Sequence, residues 1–396
     1  VKKSIYNNTL PKDSFLYIYL EYLEQIESPI AYDFWSGVWL MSTIIGSKLK
    51  INRGNIPVNF NQYIMLVSST GLTRKNTVTN LTLDILKNYT RYALMETISV
   101  ITDDTNIINL IVDSAIKNVP CRISIVKNIK KRDTKTKQYI DSLRLYSDKG
   151  NGENSPLAIN LLLTGSINTL MNDPNHILLD EDEIGKVLWI VDNEPKTRIA
   201  WPDVKNQESY TQAKIVNKLL DLSTRLNGVN EIEINDAALT KFKNWYQTRN
   251  VKLNNFSTLF AIREDEHILK LAAILCINTN SFIINVHDMT LAIKIITRIK
   301  NKTAELFSDD DPESNIVKGI SKFVQNLLQN SDTPQKQSMY YKKLSRHMNP
   351  TDLNLIVSIM HELGLITKQM EVSEGRGRKI IYLKATSDLS LNVMDR

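Results

Sequence analysis

The chain has 396 residues, 42% of them hydrophobic and 23% charged, with a formal net charge of +6. That make-up belongs to an ordinary soluble protein long enough for two or three cored domains, and its mild basic excess permits a polyanion partner without demanding one. Two cysteines, Cys121 and Cys276, stand far apart without metal-like spacing, which argues against a disulfide framework or zinc site and for a reducing compartment. No apolar run has the length of a membrane span and no signal-peptide pattern opens the chain, so a cytoplasmic protein away from the membrane is expected. Abundant Asn, Ile and Lys beside 13 glycines hint at an AT-rich coding genome, and the start at Val1 is expected to lack the authentic N-terminus.

Residues 13–48 predict two helices. Asp13 is placed to cap the first, whose Phe15, Leu16, Tyr19, Leu20 and Leu23 share one face. Ser28 and Pro29 break the chain before the second, which carries Phe34, Val38, Met41 and Ile45. Base stacking is one reading of the aromatics between Tyr17 and Trp39, but their helical spacing favours core packing. Residues 49–51 and 58–60 predict a small hairpin around Arg53-Gly54-Asn55.

The next stretch organises the chain. Residues 64–67 form an apolar run suited to a buried strand. Ser69, Thr70, Gly71, Leu72 and Thr73 follow as a polar turn, then Arg74-Lys75-Asn76-Thr77, then helical periodicity through Leu81, Ile85 and Leu86. Strand, small polar loop, lysine beside a hydroxyl residue and helix is the layout of a phosphate-binding loop. The loop amides and helix N-terminus carry partial positive charge, the lysine adds a point charge, and a Ser or Thr hydroxyl holds magnesium. Ser69 stands where the motif has its first glycine and Arg74 where it has its second; Asn76 takes the hydroxyl place, with Thr77 one residue on. The competing reading of these residues alone is an ordinary strand–turn–helix with a basic cap.

Beyond it, residues 98–102 predict a strand, 103–116 a helix and 121–126 another strand. Residues 127–156 break the pattern with Lys127, Lys130, Lys131, Arg132, Lys135 and Lys137. A solvated basic loop is favoured there over one lining a nucleic-acid channel. An apolar segment at 157–164 precedes an apolar run ending in Asp180-Glu181-Asp182-Glu183. A strand ending in Asp-Glu is the Walker B arrangement, with the aspartate on magnesium and the glutamate on the attacking water. By strand position Asp180 and Glu181 fill these roles; acids capping a helix N-terminus are the plainer alternative.

In order, Phe34-Trp35-Ser36-Gly37-Val38-Trp39-Leu40, Ile44-Ile45-Gly46-Ser47-Lys48-Leu49, Ile51-Asn52-Arg53-Gly54, Asn61-Gln62-Tyr63-Ile64 and Arg74-Lys75-Asn76-Thr77 resemble the P-loop ATPase domain of phage and mobile-element primase–helicase proteins, the YfjI-like family. Ile262-Arg263-Glu264-Asp265-Glu266-His267-Ile268-Leu269-Lys270-Leu271-Ala272 and Asp288-Met289-Thr290-Leu291-Ala292-Ile293 resemble its helical end. The resemblance covers residues 13–125 and 157–305. It implies ATP and Mg2+ as cofactors, with Ser69, Thr70, Gly71, Leu72, Thr73, Arg74, Lys75, Asn76 and Thr77 around the phosphates. Thr77 and Asp180 or Asp182 would hold the metal, and Glu181 or Glu183 the water. Arg263 would meet the nucleotide, of its own or the next subunit in a homo-oligomeric ring, expected to be a hexamer; an ion pair with Glu264 or Glu266 is the plainer role. His267 is expected to be structural. A primase partner and a bacterial host cell also follow from the resemblance. So do a further strand ending in a polar residue and a Gly-Phe-Arg segment, neither of which is found between residues 190 and 230.

An acidic turn with a proline, Ser308-Asp309-Asp310-Asp311-Pro312, marks a boundary. Helical patterns at 316–328, 337–347 and 352–363 follow, Gly364 stops the last, and strands at 365–372 and 380–384 flank a basic turn. This is a winged-helix layout, with Lys342, Lys343 and Arg346 on a helix and Arg376, Arg378 and Lys379 in the wing as DNA contacts. Protein contact is the alternative. The fold class expected is α/β: a RecA/AAA-like P-loop NTPase core (61–230) after an N-terminal helical segment and hairpin (1–60), then a helical lid (231–308) and a winged helix (313–385). The expected function is an ATP-dependent DNA helicase or replication-initiator ATPase. The alternative is a degenerate P-loop protein that assembles on or regulates DNA without hydrolysis.

Overall fold

Helices α1 (Phe15–Tyr22) and α2 (Ile30–Ile45) open the chain. An α2 that is apolar on every side calls for burial all round, and its residues from Ala31 on are buried, with Trp35 and Trp39 wholly enclosed. The aromatics of this region are therefore largely core. Ser14, not Asp13, caps α1: its Oγ accepts from the Tyr17 N–H at 3.4 Å, the third helical position a cap must reach, and Asp13 stands one residue too early.

The fold was obtained as a computed structural model. It describes residues 4–46, 48–53, 56–68, 73–93, 98–101, 121–128, 157–166, 185–199, 207–249, 255–307, 334–344, 350–362, 364–372 and 379–386, with 323 and 327. The chain forms two units, Val1–Ala304 and Glu305–Arg396.

Strands β1 (Lys50–Arg53) and β2 (Ile56–Asn59) make the expected antiparallel hairpin, Arg53 opposite Ile56. Strands β3 (Tyr63–Ser68), β4 (Ile98–Ile101), β5 (Cys121–Asn128), β6 (Leu157–Ser166) and β7 (Leu188–Val191) then build a parallel sheet in the order β4-β5-β6-β3-β7. Parallel neighbours need long crossover connections and bury both faces of the sheet. The continuous apolar run of β3 follows from that, with Ile64, Met65, Leu66 and Val67 fully enclosed. The class is α/β, as the sequence predicts. β7 is an addition: no strand was expected at residues 188–191. Helix α3 (Lys75–Tyr92) leaves the end of β3 and turns Val78, Thr82, Ile85, Leu86 and Tyr89 inward, with Tyr19 of α1 bonding through its hydroxyl to Thr82 (2.7 Å).

A second sheet joins the hairpin to β8 (Glu231–Ile234) and β9 (Ile283–Ile284) in the order β2-β1-β8-β9. Helices α4 (Gln207–Arg225), α5 (Asp236–Thr248), α6 (Asn255–Asn278) and α7 (Val286–Phe307) complete this part. On α6, Glu264 pairs with Lys300 at 2.9 Å and Asp265 with Arg53, both carboxylates being buried.

In the second unit, β10 (Gln335–Lys336), α8 (Gln337–Leu344), α9 (Pro350–Glu362), β11 (Ile366–Val372) and β12 (Lys379–Ala385) give an antiparallel sheet in the order β10-β12-β11. Gly364, at φ 71°, supplies the left-handed turn that ends α9. Phe323, Leu327, Tyr340, Leu353, Val357, Ile366 and Leu383 form its core. Two of the three expected helices and both expected strands are present; the helix expected at 316–328 lies outside the described residues apart from 323 and 327, and the short β10 was not expected.

Candidate functional site

The two ends of the loop between β3 and α3 meet at one hydroxyl. Ser68 Oγ, the last side chain of β3, accepts from Lys75 Nζ at 2.8 Å and from Thr73 Oγ1 at 3.0 Å. Arg74 has φ 48°, the left-handed backbone that glycine adopts freely, at the place where the motif has its second glycine. The arginine side chain is exposed and reaches Glu27 at 3.3 Å. Ser69, Thr70, Gly71 and Leu72 lie outside the described residues.

Lys75 opens a helix of 18 residues, where the unsatisfied N–H groups and the helix dipole already favour an anion. Burial pushes the Lys75 ammonium below the ordinary lysine range. Among the described residues no carboxylate pairs with it. A half-buried cation bonded to a neutral hydroxyl is electrostatically incomplete, and an anion beside it would be stabilised.

The surroundings are built from several elements. Asn76 takes a hydrogen bond on its Oδ1 from Thr164 Oγ1 of β6 at 3.1 Å. Asn76 and Thr77 are both exposed on the first turn of α3. The Tyr32 hydroxyl of α2 lies 2.6 Å from the Val67 carbonyl and 2.5 Å from that of Asp192, tying β3 to the residue after β7; burial drives its pKa upward. The Asp192 carboxylate receives Lys302 of α7 at 3.0 Å. Glu27 accepts from the Ile199 N–H at 2.9 Å as well as from Arg74, which holds its carboxyl below the ordinary range. The segment after β7 is pinned by Lys196, which forms a buried ion pair with Asp33 of α2.

The acid run Asp180, Glu181, Asp182 and Glu183 falls in the connection between β6 and β7 and lies outside the described residues. That connection re-enters at Gly185, three residues before β7. Leu188 pairs with Ile64, so Gly185 stands toward the start of β3, at the sheet edge opposite the loop. The Gly185 carbonyl is 3.0 Å from His267 Nε2 of α6, and a Cβ there would lie 2.5 Å from the Leu259 carbonyl oxygen. His267 is buried and its pKa is pushed down to about 4, as expected of a structural imidazole. Arg263 sits beside Gly185, its Cγ 3.7 Å from that Cβ position, and pairs with Glu266 at 2.7 Å. β3 rises about 3.3 Å per residue, so Arg263 stands on the order of 15 Å or more along the strands from its own chain's loop.

Of the DNA contacts expected in the second unit, Lys342 and Lys343 belong to α8 and Lys379 opens β12 opposite Val372; nothing further is described of these side chains, and Arg346, Arg376 and Arg378 lie outside the described residues. The sequence reading missed Ser68, Tyr32, Asp192 and Lys302. It also sought a strand carrying a polar residue after position 190, whereas β6 brings Thr164 to the loop well before it. The signal was the Thr164-Gly165-Ser166 end of a run that is apolar but for Asn160.

No family model matches the chain and no curated protein matches it. Solved structures do. The ORC2 protein of Aeropyrum pernix in its ADPNP–ADP complexes is 10% identical, with 92% of each chain covered and a TM-score of 0.26. Drosophila ORC bound to DNA is 12% identical over 100% of this chain and 97% of that one, at 0.25. The Thermotoga maritima RuvB Holliday junction branch migration motor is 13% identical over 85% and 88%, at 0.18. At these TM-scores the likenesses carry no functional weight; the fold stands on its own strand order and loop.

Proposed function

We propose that the chain binds a nucleoside triphosphate, ATP, at the loop between β3 and α3 and acts on DNA as a P-loop ATPase of the helicase or replication-initiator kind. The observation that carries this is the Lys75 ammonium, half-buried at a helix N-terminus without a carboxylate partner among the described residues, beside a left-handed Arg74. The donors present fit the group. Lys75 and the first amides of α3 would meet the phosphates, while the Asn76 amide oxygen, the Thr164 hydroxyl and Thr77 offer neutral oxygens for Mg2+. Magnesium nucleotide supplies the phosphoanhydride and a divalent charge. The chain's own work is to bind it, to hold Lys75 through Ser68, and to keep the β3 and β7 ends in register through Tyr32. Asp180 or Asp182 for metal, Glu181 or Glu183 for water, and Arg263 supplied across a subunit boundary in a ring complete the proposal.

One observation favours a second reading, a protein that binds nucleotide and DNA without turnover. Gly185, two residues after Glu183, stands at the sheet edge opposite the loop. Phosphate release from ATP, with and without DNA, separates the two. Turnover lost in Glu181→Gln or Glu183→Gln supports hydrolysis; nucleotide affinity with no release under any condition supports the second reading. Neither affinity nor release sinks both.

A further inference from the structure

Away from the loop, α5 gathers an aromatic row. Phe242 lies 5.7 Å from Trp245 and 6.3 Å from Tyr246 between ring centroids, and Trp245 lies 6.2 Å from Tyr246. Two guanidinium groups cover these rings. Arg53, at the end of β1, is 5.9 Å from the centroids of both Phe242 and Tyr246; Arg249 is 5.7 Å from that of Trp245 and 4.2 Å from that of Tyr246. The row runs outward from a buried Phe242 to a Tyr246 that is 41% exposed. Exposed Lys241 and Lys243 each stand one helical turn from a ring, four residues before Trp245 and three before Tyr246.

The charge around the row is unbalanced. Asp265 answers Arg53 from a buried position, and the neighbouring carboxylates of α6 are taken by other cations, Glu264 by Lys300 and Glu266 by Arg263. On β8, Ile232 is buried and the exposed Glu231 and Glu233 alternate to the other face of the sheet. Among the described residues no carboxylate pairs with Lys241, Lys243 or Arg249; Arg249 Nη1 donates to the Ala261 carbonyl at 3.0 Å, which leaves its charge unneutralised.

We propose that this patch binds single-stranded nucleic acid, with a base taking the place of the Arg249 guanidinium on Tyr246 and phosphates met by Lys241, Lys243 and the displaced Arg249. Charge complementarity selects a polyanion. The exposed ring selects a single strand, because the base faces of a duplex are already stacked on one another. Lysine is depleted in protein–protein interfaces, which disfavours a protein occupant. The site needs no nucleotide at Lys75, so it stands or falls separately from the loop.

The test is the anisotropy of a fluorescein-labelled oligothymidylate titrated with the full chain. Tyr246→Ala should weaken binding by roughly five- to a hundredfold, the range of one lost base stack, while Tyr246→Phe should keep it. Lys241→Ala with Lys243→Ala should make the log–log salt dependence shallower by about 1.4, from ~0.7 per single-strand phosphate contact. An abasic strand of equal charge should bind the intact protein about as weakly as oligothymidylate binds Tyr246→Ala. The proposal is overturned if Tyr246→Ala binds like the intact chain, or if the abasic strand binds as tightly as oligothymidylate. It is also overturned if a triple alanine variant of Arg376, Arg378 and Lys379 removes all single-strand affinity. Variants that change only the mass of the protein in solution would make the patch a contact between copies and overturn it too.

Discussion

Lys75 Nζ donates to Ser68 Oγ across 2.8 Å, joining the first residue of α3 to the last of β3 over the loop between them. The bond pre-positions the ammonium without neutralising it. Lys75→Ala should therefore cost nucleotide affinity at least about tenfold, since hydrogen bonds to charged groups are worth roughly 1.5–3 kcal/mol. A fluorescent ATP analogue reads this directly. The pH dependence has a definite sign. Burial lowers the Lys75 pKa in the free protein, and a bound polyphosphate raises it again by favouring the charged form. Affinity should thus fall as pH rises, starting below the ordinary lysine range, and Lys75→Ala should lack that limb.

Gly185→Ala should destabilise the fold by about 1–3 kcal/mol, the usual cost of forced overpacking. The added Cβ would fall 2.5 Å from the backbone oxygen of Leu259, which has no flexible end to move aside. Urea unfolding measures the loss; an unchanged midpoint would show that the connection does not press on α6.

His267 makes stability depend on pH. Its pKa is pushed down to about 4 by burial, against an ordinary 6.5, so the unfolded chain binds the extra proton first. Its contribution is complete above pH about 6.5 and is lost as pH falls toward 4, in all about 3 kcal/mol. His267→Gln should flatten the stability–pH curve in that window relative to the parent. Parallel curves for the two proteins would contradict the assignment.

Lys196→Met should cost about 3–5 kcal/mol, because it leaves Asp33 buried without its partner. The double variant Asp33→Leu with Lys196→Met should recover part of that loss. A double variant no more stable than Lys196→Met, measured by urea unfolding, would show that the charge of Asp33 is not what makes the single change costly.

Arg263 stands at the far sheet edge from its own loop and is 42% exposed, beside Glu266. If it completes a neighbour's site, Arg263→Ala and Lys75→Ala, each inactive alone, should regain ATP turnover when mixed. Mixtures that stay inactive, or full turnover by Arg263→Ala, would leave Arg263 as the surface partner of Glu266.

The fold was legible wherever one strong local signal decided it. The apolar run before Lys75 became β3, the periodicity after it became α3, and Gly364 stopped α9. The candidate site could be proposed at Lys75 because loop and helix are contiguous in sequence. Tyr32, Thr164, Asp192 and Lys302 were not, since sheet order and helix packing alone bring Thr164 to Asn76, Tyr32 and Asp192 to the end of β3, and Lys302 to Asp192, and no local pattern announces that β6 lies beside β3. β7 was passed over because four residues, with Trp189 among them, carry too little periodicity to mark a strand.

Equilibrium dialysis of labelled ATP with magnesium, against the intact chain and Lys75→Ala, tests the central claim most directly. Saturable binding of one nucleotide per chain, weakened at least about tenfold in the variant, is the result expected. Absence of binding to the intact chain, or equal binding to both proteins, would contradict a nucleotide site at this loop.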